Sequence, residues 1–324
     1  MRIGSLELAG ARRYGRVTGD DLDLLAPGCD PLALLDPDRA GELAWEGRVP
    51  WDGAGRLAPP VPVSTVRDFI TFEQHTAGSL RSVVGSAEVP EAWFEAPAFY
   101  FTNPHAVIGS GEDVPVPPGS ELFDVELEVG IVIGRAGYNL PVDRAWDHIA
   151  GLTVLNDWSA RDLQRAEMRV GLGPAKGKDT ATTLGPVLVG LDELAGARRG
   201  DRYDLDMEVT VNGSRLGGDS LANMAWSFAE LVSYASRGTW VRPGDVLGSG
   251  TCGGGCLAEH WGWSGDRSPA PLAVGDVVRM TVEGIGTIEN RVVAGPELHP
   301  VPAARRVPWS EPPAPQLRRR PAIG

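Results

Sequence analysis

Between Phe123 and Gly134 the chain alternates with period two. Phe123, Val125, Leu127, Val129, Ile131 and Ile133 fall on one side, and Asp124, Glu126 and Glu128 fall on the other. A helix would scatter these residues around its circumference, whereas a β-strand sorts them onto opposite faces. The segment therefore commits the fold to a sheet, and to a strand with one acidic face. Glu126 and Glu128, two apart on such a strand, sit roughly 6 to 7 Å from each other at the Cα level. Their mutual repulsion allows two readings. On an exposed face it is screened, and the pair is the wet side of an amphipathic strand. In a partly buried setting both carboxylates stay ionised only if a cation offsets repulsion and lost hydration.

Other segments read in the same way. Leu152 to Leu155 is an apolar strand that ends in Asn156-Asp157-Trp158, and Ser159 and Asp162 then have the spacing of a helix start. Asp157 is thereby placed at a strand end, where it makes a suitable third carboxylate. Met207 to Val211 alternates as far as Asn212-Gly213, a strong hairpin dipeptide that predicts an antiparallel pair. Leu221, Met224, Ala225, Phe228, Leu231, Val232 and Ala235 recur at helical steps before Gly238, which predicts an amphipathic helix stopped by glycine. Turns at Pro243-Gly244-Asp245, Val274-Gly275-Asp276 and Gly284-Ile285-Gly286 punctuate further strand-like runs.

The expected class is a β-dominated α+β fold without internal repeats. Residues 1–63, with short apolar runs broken by Gly, Pro and Asp, form a small N-terminal β-rich domain in this reading. Residues 64–300 form the main domain, which holds the site. Residues 301–324 are a Pro- and Arg-rich tail, disordered or draped over the surface.

Composition removes several alternatives. The 324 residues are 42% hydrophobic and 23% charged, and no stretch approaches the ~18 apolar residues of a membrane span. The start, Met1-Arg2-Ile3-Gly4, lacks the pattern of a secretory leader, so a cytoplasmic location is expected. A formal net charge of -13 argues against a nucleic-acid partner, which selects for a basic face. Cys29, Cys252 and Cys256 cannot close a disulfide framework, and Cys252 and Cys256 lack further Cys or His at zinc-ligand spacing. Among 30 basic residues only Lys176 and Lys178 are lysine, two apart in one Gly-rich loop. A compact ammonium can approach a substrate oxygen or change its protonation when buried in ways a guanidinium does not. Their survival as lysine points to chemistry, with chance in a solvated loop as the alternative.

An all-oxygen ligand set suits a hard cation, Mg²⁺ first, with Mn²⁺ or Ca²⁺ also compatible. Mg²⁺ keeps open positions, which a bidentate keto-enol or 2-oxo acid can take.

Asp68-Phe69 with Gln74-His75, Asp124-Val125-Glu126-Leu127-Glu128, Asn156 to Gln164, Gly177-Lys178 with Thr182-Thr183, and Gly250-Thr251 with Leu257-Ala258-Glu259 stand in a fixed order. This ordered set closely resembles the fumarylacetoacetate hydrolase family, and the similarity continues to about residue 293 through Phe101-Thr102-Asn103-Pro104 and Glu283-Gly284-Ile285-Gly286. The resemblance implies a mixed β-roll catalytic domain, a smaller N-terminal β domain and a homodimer. It also implies a divalent metal held by Asp68, Glu126, Glu128 and Asp157. His75 and Glu259 would form a water-activating dyad, with His75 as general base. Lys178 would help to polarise a chelated dicarbonyl. Arg161, Gln164 and Thr251 match positions near the site, where they would hold substrate oxygens or support the metal ligands.

The implied activity is hydrolysis of a C–C bond in a small β-diketo acid or acylpyruvate. Ile70 and Met168 stand where the fumarylacetoacetate-cleaving enzyme has substrate-contacting tyrosines, and Val84 where it has a substrate-binding arginine, with Arg81 as a nearby substitute. A pocket that has lost hydroxyl donors rejects a substrate that needs them, so a substrate other than fumarylacetoacetate is expected. The family also contains decarboxylases, tautomerases and dehydratases. A catalytically silent binding protein is the reading from outside enzymology.

Overall fold

The computed structural model describes residues 1–51 and 56–308. Its main feature is a large mixed sheet. The strands that matter below are β1 (Arg2–Leu8), β2 (Ala11–Thr18), β3 (Asp21–Leu25), β4 (Trp45–Pro50), β5 (Thr65–Phe69), β6 (Phe99–Thr102), β7 (Leu127–Ile133), β8 (Ile149–Asp157), β9 (Thr182–Val189) and β10 (Asp245–Gly248). They lie in the order β4-β3-β2-β1-β9-β8-β7-β10-β5-β6. Neighbours along this path are antiparallel except β10 and β5, which run parallel from Asp245↔Thr65 to Gly248↔Asp68. A second, five-stranded sheet packs with it and contains Asp206–Val211 and Ser214–Ser220. These two strands are joined by the expected hairpin, with Asn212 and Gly213 at φ of 52° and 76°. This is the left-handed geometry that an Asn-Gly turn supplies at little steric cost.

The strand with the acidic face departs from its sequence reading in two ways. Every residue from Leu122 to Ile133 is buried, so there is no wet side. Regular pairing is also interrupted at Val125-Glu126. Phe123–Asp124 pairs with Ser159–Ala160, and β7 begins only at Leu127. Within the break the Glu126 amide donates to Asn156 Oδ1 at 3.0 Å, so a side chain replaces a ladder partner. A strand buried on both faces reads as amphipathic when its inner polar face serves a site instead of solvent.

The expected helix from Leu221 to Ala235 is two elements, a 3₁₀ turn at Leu221–Asn223 and an α-helix at Phe228–Ala235. The cause is local. Ser227 accepts from the Glu230 amide while the Glu230 carboxylate accepts from the Ser227 amide, a capping box that starts the helix afresh. The helix after Ser159 begins at Arg161, but Ser159 does not cap it. The Ser159 hydroxyl donates to the Asp157 carbonyl, and Asp162 accepts from Ser120 and Glu121.

Residues 1–50 form strands that join the large sheet through Arg2↔Val189 and Ile3↔Leu188. Ile3, Leu25, Leu34, Leu35 and Val61 share one buried cluster with Val66, Val132, Leu155, Leu184, Leu188 and Val246. Of the tail, Val301 to Pro308 are exposed and carry no regular structure, and 309–324 lie outside the described residues. No helix among the described residues is long and apolar enough to cross a membrane.

Candidate active site

Asp68 leaves the end of β5, Glu128 opens β7, Asp157 closes β8, and Glu126 occupies the break before β7. Each exposes 4% of its surface or less, and one oxygen from each lies within 4.8 Å of the others. The convergence has a simple structural origin. β10 lies between β7 and β5, with Gly248 paired to Gly130 on one side and to Asp68 on the other. Strands two apart in a sheet are about 9.6 Å from each other, but Gly248 offers no side chain to keep their carboxylates apart. A Cβ placed there would lie 2.2 Å from Asp68 Oδ1 and 2.9 Å from Glu128 Oε2.

The ligand-capable oxygens are unequally satisfied. Glu128 Oε2 accepts from the Gly250 amide at 3.1 Å, and Oε1 accepts from the Thr251 hydroxyl at 3.3 Å. Lys178 Nζ donates to Glu126 Oε2 and, at 2.6 Å, to Asp157 Oδ2, which also accepts from the Tyr100 hydroxyl. Asp68 Oδ1 and Asp157 Oδ1 are buried with no hydrogen-bond partner among the described residues. Burial pushes the Asp68 carboxyl up to about 6 and holds Glu128 and Asp157 well above the usual carboxylate range. Burial acts on Glu126 too, but Arg161 and Lys178 outweigh it and hold that carboxyl below the usual range. Four buried carboxylates, two of them with an orphaned oxygen and the set only partly offset by one lysine and one arginine, fit a divalent cation. An ion's own charge is what such a cavity lacks.

The helices that matter are α1 (Glu73–Val84), α2 (Arg161–Met168), α3 (Phe228–Ala235) and α4 (Leu257–Ser264), and the second constellation stands on α1 and α4. Glycines set their close crossing, since a Cβ at Gly262 would meet the Gly78 carbonyl oxygen at 2.3 Å. At this crossing His75 Nδ1 and Glu259 Oε1 lie 2.7 Å apart. Glu259 Oε2 accepts from the Gly254 amide at 2.8 Å, which fixes the carboxylate. His75 Nε2 faces the acidic cluster, 3.9 Å from Glu126 Oε1 and 3.3 Å from Ser79 Oγ. With Nδ1–H donating to Glu259, the Nε2 lone pair points toward the cluster.

Arg161 is buried, and each of its guanidinium nitrogens has a partner. Nε donates to Asp124 Oδ2 and Nη2 to Glu126 Oε1, both at 2.7 Å, and Nη1 donates to Gln164 Oε1 at 3.1 Å. Arg161 and Gln164 therefore brace Glu126 in this structure. Thr251 touches Glu128, as above. Arg81 is not drawn into the cluster: its guanidinium stacks 5.0 Å from the Trp263 ring at the exposed end of α1.

Sequence reasoning passes over Tyr100 and Gly248, lists Asp124 and Asn156 without a task, and weighs Cys256 only as a zinc ligand to reject it. Asp124 accepts from Val125, Leu257 and Ala258 amides and from Arg161, so it ties the acidic strand to the start of α4. Tyr100 faces the site because β6 pairs with β5 in the register Asp68↔Tyr100. Neighbours in sequence carry no trace of that register.

Residues 65–293, well over half of the chain, match the model of the fumarylacetoacetate (FAA) hydrolase C-terminal domain. The chain belongs to the fumarylacetoacetate hydrolase family. Among relatives of this family, the oxaloacetate tautomerase YisK of Bacillus subtilis is 29% identical over 73% of this chain and 73% of its own length. The fumarylacetoacetase of Arabidopsis thaliana is 29% identical over 63% of each chain. Among solved structures, 5-carboxymethyl-2-hydroxymuconate delta-isomerase from Mycobacterium smegmatis superposes with a TM-score of 0.68 at 27% identity, covering 91% of this chain and 100% of that one. Fumarylacetoacetate hydrolase family enzymes thus include a hydrolase, a tautomerase and an isomerase on one fold, and this chain carries that fold.

Proposed function

We propose that the protein is a divalent-cation-dependent hydrolase that cleaves a C–C bond in an acylpyruvate or related β-diketo acid. One observation carries this reading. The imidazole of His75 is anchored by Glu259 on one nitrogen and aims the other at a buried four-carboxylate cluster. A cation held by Asp68, Glu126, Glu128 and Asp157, with Mg²⁺ the first candidate and Mn²⁺ or Ca²⁺ compatible, would supply Lewis-acid charge beside the substrate's chelating oxygens.

In this proposal His75 Nε2 removes a proton from water as the water oxygen bonds to the acyl ketone carbon. Glu259 holds the resulting imidazolium through Nδ1–H. The tetrahedral adduct then expels the neighbouring carbon with its bonding electrons as an enolate, and the proton on His75 quenches that carbon. The products are a carboxylic acid and a 2-oxo acid. Lys178, buried between Glu126 and Asp157, places an ammonium where developing oxyanion charge needs it. Arg161 with Gln164, and Thr251, hold Glu126 and Glu128 in position. Arg81, at the outer end of α1, is left with at most a peripheral role toward substrate.

A second reading is favoured by the relatives' names. A keto–enol tautomerase, isomerase or decarboxylase acting on a 2-oxo acid would use the same acids and the same base without a hydrolytic water. Incubation with acylpyruvates and with oxaloacetate, with and without EDTA, separates the two. Appearance of a carboxylic acid and a 2-oxo acid is expected. Enol decay or CO₂ release without those products would replace the hydrolase with the second reading. The homodimer implied by the resemblance belongs to the same proposal, and a monomer in sedimentation would remove it.

A further inference from the structure

Along the chain the histidine nearest Cys256 is His260, four residues on, and it does not belong to the cluster around Cys256. The fold supplies one from 181 positions away. Cys256 Sγ lies 3.7 Å from His75 Nδ1 and 3.7 Å from Glu259 Oε1, and all three side chains are buried. Tetrahedral zinc with ordinary bond lengths requires ligand-to-ligand distances of about 3.5 Å for N to S, about 3.6 Å for S to O and about 3.4 Å for N to O. Two edges of that triangle are already met. Only the 2.7 Å His75–Glu259 edge must open, by about 0.7 Å. The Gly254 amide already orients the Glu259 carboxylate from its far oxygen, the kind of outer contact that metal-binding carboxylates use.

We propose that His75, Cys256 and Glu259 form a second cation site, selective for zinc-like ions, whose occupancy disables the His75–Glu259 pair. Selectivity follows from the donors. A thiolate, an imidazole and a carboxylate favour Zn²⁺ or Co²⁺ over Mg²⁺, whereas the all-oxygen cluster alongside has the opposite preference. The two sites share no ligand, yet they meet at one ring, because His75 Nε2 faces the acidic cluster while Nδ1 belongs to the triad. On binding, the Cys256 thiol releases its proton to solvent, His75 shifts its own proton from Nδ1 to Nε2 so that the Nδ1 lone pair meets the ion, and Glu259 stops accepting from His75. The site stands on geometry alone. Only its inhibitory effect rests on the proposed role of His75.

The test uses the full chain kept in excess Mg²⁺ and titrated with Co²⁺. A near-ultraviolet sulfur-to-cobalt charge-transfer absorption saturating at one equivalent is expected. It should vanish in Cys256→Ser and persist in Cys29→Ser. X-ray absorption on the zinc-loaded, unsubstituted protein should show one sulfur neighbour at about 2.3 Å, a readout that needs no variant to fold. Zn²⁺ should inhibit the Mg²⁺-supported reaction, and Cys256→Ser should weaken that inhibition at least tenfold relative to its own Mg²⁺-supported rate. Absence of a sulfur neighbour, or a charge-transfer band that survives in Cys256→Ser, overturns the site. Equal zinc inhibition in both proteins places the inhibitory ion in the carboxylate cluster and overturns the regulatory effect.

Discussion

His75 faces the cluster to which Asp157 belongs, yet their substitution should fail in different ways. His75→Ala removes the base but none of the four carboxylates. It should lower kcat by about 10² to 10⁴-fold with Mg²⁺ affinity by calorimetry little changed, and a fully active variant would cancel the general-base assignment. Asp157→Asn takes a charge from the cluster and should weaken Mg²⁺ binding more than the roughly 10 to 100-fold typical of an outer-shell loss. Unchanged affinity would refute the site. The pH dependence has a definite sign. The Asp68 carboxyl is raised to about 6 from an unfolded value of about 3.9. Its contribution to metal-free stability is therefore complete below the unfolded value and is lost as pH rises through the folded one. The thermal shift produced by Mg²⁺ should accordingly be larger near pH 7 than near pH 5, in a range where the ion replaces protons. A pH-independent shift in fluorimetry would show that these carboxylates are not what binds it.

At the scale of elements, the site depends on where strands and helices come close. Gly248→Ala leaves every charge in place but pushes a methyl group between Asp68 and Glu128. It should depress Mg²⁺ affinity while barely altering far-ultraviolet circular dichroism. Asp124→Ala strands the buried Arg161 and uncaps α4, and should cost about 3–5 kcal/mol in denaturant unfolding. These elements were unequally legible in the sequence. Alternation along Phe123 to Gly134 and the Asn212-Gly213 hairpin depend on adjacent residues and could be read directly. The direction of the acidic face could not, because alternation separates two faces without saying which of them meets solvent. The Ser227–Glu230 box was also present in the sequence, but the helical period running from Leu221 to Ala235 hid it. Tyr100, Gly248 and Cys256 depend on pairing between strands or crossing of helices far apart in the chain. The ordered motifs could not single them out. Glu126, Glu128 and Asp157 could be proposed from alternation and a strand end, whereas Asp68 and the His75–Glu259 pair came through the family resemblance.

For the molecule as a whole, residues 1–63 were read as a small unit of their own. Their strands extend the large sheet, and their apolar side chains share a buried cluster with β5, β7, β8, β9 and β10. Scanning calorimetry of the full chain should therefore give one cooperative transition, and a well-separated early peak would show that the N-terminal segment melts alone. Lys178 has a consequence at this same scale. Its ammonium bridges Glu126 and Asp157, so part of the positive charge that the acidic cavity needs is covalently built into the chain. Four converging acids oppose the meeting of the strands that carry them, and a tethered counter-charge lessens that opposition from the moment those strands come together.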